Sequence, residues 1–231
     1  MSTPSLASPA AARASTLVSS TIGRKALMAA SGLVLYGFVI GHMLGNLQVF
    51  LGPEALNAYA EMLQHMLHGT GVWIARGVLL LAVLLHIWAA ASLTVANAGA
   101  RPVGYRAWQA RQSTYASRTM VWSGPLLLLF IVYHLAHFTT GHTHPDFVRG
   151  DVYRNLVVGF QNPFASAFYI LAMLALGLHM YHGFWSMLQT LGASHPRWTR
   201  LRGVVSGLLA FAVVAGNISM PVAVLLGVLS L

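Results

Sequence analysis

The sequence predicts an all-α polytopic membrane protein of five transmembrane helices, the first four forming a four-helix bundle, and three observations predict it. Of 231 residues only 13 are Lys or Arg and 4 are Asp or Glu, 7% of the chain, against about 25% in an ordinary soluble domain. Hydrophobic residues make up 57%, more apolar surface than one compact core of this length buries. Charge is absent altogether from the stretches 26–53, 77–100, 119–145, 155–196 and 203–231, each long enough for the ~20 apolar residues that cross a bilayer as a helix. The connections between them are too short for a separate catalytic domain, so any chemistry belongs within the membrane or at its surface.

The elements follow in order. Residues 1–24, rich in Ser, Ala and Pro, read as a flexible arm, and residues 25–231 as a single transmembrane domain. Span one is expected over 26–50; it lacks a cleavage site before the next polar loop and is expected to stay in the membrane. Residues 53–69 place Leu and Met at helical spacing and suit an interfacial helix. Span two is expected over 71–97. Span three, 118–140, contains Pro125, which is expected to bend its first half. Span four, 163–189, opens on Asn162-Pro163, a capping residue followed by proline at the first helical position. Span five, 202–229, is expected to be interrupted near Asn217 to Pro221.

Lys and Arg in the connections set the orientation. With the N-terminus in the cytoplasm, Arg13, Arg24, Lys25, Arg101, Arg106, Arg111, Arg118, Arg197, Arg200 and Arg202 lie inside, and Arg76, Arg149 and Arg154 outside. All four acids, Glu54, Glu61, Asp146 and Asp151, then fall outside. Topology accounts for the basic balance without nucleic acid, and the basic face also suits docking of a partner subunit. The chain has no cysteine, which excludes disulfides, thiolate nucleophiles, iron-sulfur clusters of its own and thioether-linked haem.

Eleven histidines are many for so uncharged a chain. His42, His86, His134 and His179 lie one in each of the first four spans, with His137 and His182 a turn further along. A histidine in hydrocarbon is costly unless paired or ligated. Counted from the outer span ends, His42 and His134 lie about eight and six residues in, and His86 and His179 about fifteen and sixteen. These depths define two levels roughly 10 to 15 Å apart. Two bis-histidine sites stacked along the membrane normal follow, and haem suits them: imidazoles fill both axial positions while apolar helices solvate the macrocycle. Zinc wants more ligands at one depth, and a proton relay lacks an intramembrane carboxylate. Gly37, Gly41 and Gly45 beside His42, and Gly177 and Gly183 beside His179, suit a flat ring or plain helix packing. Arg24, Lys25 and Arg118 inside and Arg76 outside suit propionates or interfacial snorkelling.

Several motifs in register carry a resemblance: GRKALMAASG from Gly23, FVIGHMLGNLQVF from Phe38, GPEALNAYAE from Gly52, LLHIWAA from Leu84, SRTMVWSG from Ser117, FIVYHLAHF from Phe130, GFQNP from Gly159 and LHMYHGFWSMLQTLG from Leu178. From about Gly23 into span five, the chain resembles the di-haem cytochrome b membrane anchor of succinate dehydrogenase and fumarate reductase. The resemblance implies two haems b, the outer ligated by His42 and His134 and the inner by His86 and His179, with His179 preferred over His182 and His134 over His137. It places Ser31 and Trp122 near the inner haem. It implies a flavoprotein subunit and an iron-sulfur subunit as partners, the latter on the cytoplasmic face, and a quinone, menaquinone or ubiquinone, as redox partner. The dehydrogenase active site is then in the flavoprotein, not in this chain. Glu61 is the expected carboxylate of a quinone pocket beside the outer haem, or a solvated face residue. The expected location is the bacterial cytoplasmic membrane, with the C-terminus outside. Two other readings stand: a di-haem cytochrome b of a hydrogenase or formate dehydrogenase, and a haem-free transporter whose histidines relay protons.

Overall fold

The computed structural model describes residues 18–100 and 113–231. Residues 1–17 of the expected arm, and Arg13, Arg101, Arg106 and Arg111 of the expected inner face, lie outside the described residues. Among the described residues there are seven α-helices. Ser20 starts α1 (Thr21–Asn46) by accepting from the Gly23 N–H at 3.0 Å, so the helix begins before the expected boundary and includes Arg24 and Lys25. A 3₁₀ turn, Leu47–Leu51, ends at Gly52, whose φ of 101° only glycine adopts readily. Pro53 then opens α2 (Pro53–His65). Leu67, His68 and Gly69, all at positive φ, reverse the chain into α3 (Thr70–Gly99). Thr114 caps α4 (Tyr115–Phe138), which contains Pro125.

A short helix between the expected spans three and four, where none was expected, α5 (Val152–Gln161), precedes α6 (Pro163–Thr190). The Asn162-Pro163 start of α6 is as expected: Asn162 Oδ1 accepts from Phe164 N–H at 2.9 Å and Ala165 N–H at 3.3 Å. The last helix, α7 (Thr199–Leu225), continues through Asn217 and Pro221, so the expected interruption does not occur. Proline removes one helical donor, and the neighbouring turns hold the helix together.

Among the described residues five helices are long and apolar enough to span a membrane: α1 with its 3₁₀ turn, α3, α4, α6, and α7 with the 3₁₀ turn before it. Their outward residues include Trp73, Leu80 and Leu84 on α3 and Val121, Leu129 and Val132 on α4, all exposed, as lipid-facing positions require. The two amphipathic helices α2 and α5 pack on each other at one end. Asn57 joins them by donating to Asp151 at 3.0 Å and accepting from the Tyr153 N–H at 3.0 Å. Beneath them Val49, Leu56, Val157, Phe160, Tyr169 and Met220 form a buried cluster. All four acidic residues belong to this end, the acidic end; Arg24, Lys25, Arg118, Arg197, Arg200 and Arg202 belong to the other, basic end.

Aligning the helices exposes an internal repeat. Met28, Ser31, Gly32, Leu35, Phe38 and His42 of α1 recur 92 positions later on α4 as Met120, Ser123, Gly124, Leu127, Phe130 and His134. Leu81, Ala82, Leu85 and His86 of α3 recur 93 positions later on α6 as Leu174, Ala175, Leu178 and His179. Each half is a span, an amphipathic helix at the acidic end and a returning span, so the halves are parallel repeats about an axis along the bundle. Helix α7 lies outside the repeat and packs on α6, α1 and α5.

Candidate functional site

Within each half the spans touch, α1 on α3 and α4 on α6, and α1 also packs on α6. Among the described residues the packed pairs include neither α1 with α4 nor α3 with α6. Across those two separations the histidines meet. The His42 and His134 rings are 5.8 Å apart, centroid to centroid, at an interplanar angle of 84°. The His86 and His179 rings are 6.2 Å apart at 56°. Each pair therefore joins the two copies of one repeat position.

Along α1, Ser31 stands at the level of the His86–His179 pair and His42 eleven residues further on. At 1.5 Å per residue the levels are about 16 Å apart, slightly beyond the range expected from span ends. A metal ion bonded to an imidazole nitrogen on either side at about 2 Å would hold the ring centroids about 6 Å apart, so the donor set and spacing fit a bis-imidazole metal centre at each level. Among the described residues no group of three or more His, Cys, Asp or Glu side chains is placed to hold a metal ion.

Hydroxyl groups address three of the four rings. Ser31 Oγ is 3.4 Å from His86 Nδ1, and Ser123 Oγ is 3.1 Å from His179 Nδ1. The Tyr169 hydroxyl lies 3.2 Å from His134 Nδ1 and 3.2 Å from His137 Nδ1. His42 Nε2 instead lies 3.2 Å from Asn46 Nδ2. Phe38 stacks on His42 at 5.3 Å, and its repeat mate Phe130 packs against His134 at 5.7 Å.

His137 is 1% exposed and packs against Phe138 at 4.2 Å and His144 at 5.1 Å. Gly159 makes room for them, since a Cβ there would come within 3.1 Å of all three side chains. Of the glycines named above, Gly45 would carry its Cβ 2.6 Å from the Tyr59 ring, and Gly177 would carry its own 2.5 Å from Val214. Both serve helix packing. Beside Gly37, Gly41 and Gly183 a Cβ would meet nothing within 4 Å.

Ser31 is buried, whereas Trp122 is 77% exposed on α4. Arg76, toward the acidic end of α3, lies over its own Trp73 at 4.8 Å. Glu61 is exposed on α2, and its backbone carbonyl accepts from His65 Nδ1 at 2.9 Å. Ser123, Tyr169 and Asn46 were not singled out from sequence. Ser123 carried a signal, its repeat relation to Ser31; Tyr169 and Asn46 carried none, because their repeat mates are Arg76 and Phe138.

A family model for the succinate dehydrogenase/fumarate reductase transmembrane subunit matches residues 101–216. The match takes in α4, α5 and α6 and much of α7, with one histidine of each pair. No curated protein and no solved structure matches the chain. With its five membrane-spanning helices, the chain belongs to the succinate dehydrogenase/fumarate reductase transmembrane subunit family, as an integral membrane anchor of cytochrome b type.

Proposed function

We propose that this subunit is a di-haem cytochrome b that carries electrons between the iron-sulfur subunit of succinate dehydrogenase or fumarate reductase and a membrane quinone. Two haems b are assigned, the inner to His86 and His179 and the outer to His42 and His134. The observation that carries this reading is the pairing itself: two imidazole pairs at ring separations of 5.8 and 6.2 Å, at two levels of one bundle. Membership of a family that binds haem b adds to it.

A bound haem would supply a one-electron carrier, and His42, His86, His134 and His179 are the residues that would hold the two haems. The residues of this chain do the rest. The histidines contribute neutral nitrogen donors from facing helices. Phe38 and Phe130 flank the outer pair with apolar surface. Ser31 and Trp122 are assigned to the surroundings of the inner haem, and Arg76 to a carboxylate at the outer level. In this reading the basic end faces the cytoplasm and receives the iron-sulfur subunit, while the C-terminus lies outside. The quinone is assigned to the outer level, with Glu61 as the carboxylate that takes or gives protons.

Purification from native membranes under mild conditions tests partners and cofactor together. The expected result is a red complex containing the flavoprotein and iron-sulfur subunits, with two low-spin haems per chain. Well-folded chain without haem would overturn the reading, and copurification with a hydrogenase or formate dehydrogenase would replace the partner.

A further inference from the structure

The two serines beside the inner pair are repeat mates, and each hydroxyl has a backbone carbonyl within reach to take its proton. Ser31 Oγ donates to the Leu27 carbonyl at 2.7 Å, with the Met28 carbonyl at 3.2 Å. Ser123 Oγ donates to the Met120 carbonyl at 3.4 Å. A serine hydroxyl has one proton and two lone pairs. With that proton donated to the carbonyl, each oxygen meets its histidine as an acceptor and the ring nitrogen facing it donates.

We infer that Ser31 and Ser123 are positioning residues that hold His86 and His179 in the Nδ1–H form, leaving both Nε2 lone pairs for the metal of the inner centre. This rests on the assignment of those histidines to one haem and goes beyond it by naming what fixes their tautomer and rotation. Imidazole bound to a metal through one nitrogen typically donates from the other, and an acceptor there raises the basicity of the ligand. The device is symmetric: each serine reaches the histidine of the other span in its own half. Gly32, next to Ser31, completes it, because a Cβ there would stand 3.3 Å from His86 Cε1. The outer pair is addressed differently, by Asn46 on one side and Tyr169 on the other, so the inference concerns the inner centre alone.

The test uses the intact complex in its membrane, with S31A and S123A made singly so that one serine remains in each variant. The isosteric variants S31T, S31V, S123T and S123V differ from one another only in the hydroxyl. Potentiometric titration and low-temperature paramagnetic resonance follow each haem separately. Loss of the acceptor weakens donation to ferric iron, so the inner midpoint potential rises in the Ala and Val variants and its low-spin signal shifts. Inner-haem affinity falls about tenfold, the lower end of the range for residues that hydrogen-bond a metal's ligands. The Thr variants match the wild type, and the outer haem is unchanged throughout. Equal behaviour of Thr and Val, or a shift confined to the outer haem, overturns the inference while leaving the haem assignment intact. Absence of low-spin haem from the wild type removes the assignment itself.

Discussion

At the scale of single residues, four histidines carry the proposed function and were legible in the sequence, because an imidazole at membrane depth needs a reason and the depths alone sort the four into pairs. Replacing His86 or His179 with alanine is expected to remove the inner haem and leave the outer partly populated, with the converse for His42 or His134. Redox titration of the variants separates the two; equal loss of both haems from every variant with the fold intact would contradict the pairing. Tyr169 was not legible. A tyrosine in an apolar span is commonplace, and its place between His134 and His137 depends on how α6 is rotated against α4. Outside the spans, Asp146 is held below the usual carboxylate range by its hydrogen bond from Arg154 and by the charge of that guanidinium. A carboxyl depressed in the folded state contributes stability that is present above its unfolded value, about 3.9, and is lost as pH falls through the folded value. The pair is exposed, so its effect is small. The stability difference between wild type and D146N, followed by thermal unfolding in detergent, is expected to be level from about pH 8 to pH 5 and to shrink below about pH 4.

At the scale of elements, hydropathy gave the spans within a few residues because lipid requires long unbroken apolar helices. The departures arose where a local bond outweighs composition. Ser20 starts α1 upstream of Arg24 and Lys25, and α7 runs through Pro221 where sequence argued for a break. Helix α5 was not legible because its ten residues are too few to span a membrane, although the Asn162 cap that divides it from α6 was. Ser166, wholly buried, donates to the Phe160 carbonyl at 2.7 Å and ties the end of α5 to the first turn of α6. The N162A exchange removes an acceptor shared by two helical N–H groups and is expected to cost about 1 kcal/mol. N162D and N162S, which keep a capping oxygen, should recover most of it in the same unfolding measurement. Unchanged stability in N162A would mean that Pro163 and Ser166 fix the start of α6 without the cap.

At the scale of the whole molecule, the repeat explains why there are two histidine pairs and why they stack. Each pair joins the two copies of one histidine across the bundle, so a single duplicated span pair supplies both levels. The matching positions were legible, since Met28 to His42 and Met120 to His134 keep identical internal spacing. Their pairing in space was not, because it depends on α1 facing α4 across the bundle. Symmetry fails at the acidic end, where Gly41, Gly45 and Asn46 correspond to Tyr133, His137 and Phe138, which gives the outer pair its unequal surroundings. One consequence separates this architecture from a bundle in which each half binds its own cofactor. Neither half contains a complete ligand pair: α1 to α3 hold His42 and His86, while α4 to α7 hold His134 and His179. A chain divided between α3 and α4 and expressed as two polypeptides should therefore recover both low-spin haems only when the halves are produced together, through the packing of α1 against α6 and α7 and of α2 against α5. Either half alone should show no bis-imidazole spectrum, because its two histidines lie about 16 Å apart along the bundle and cannot reach one iron. A low-spin, two-histidine haem on the isolated C-terminal half would mean that His137 or His182 can act as a ligand, and would move the proposed axis of the sites into that half.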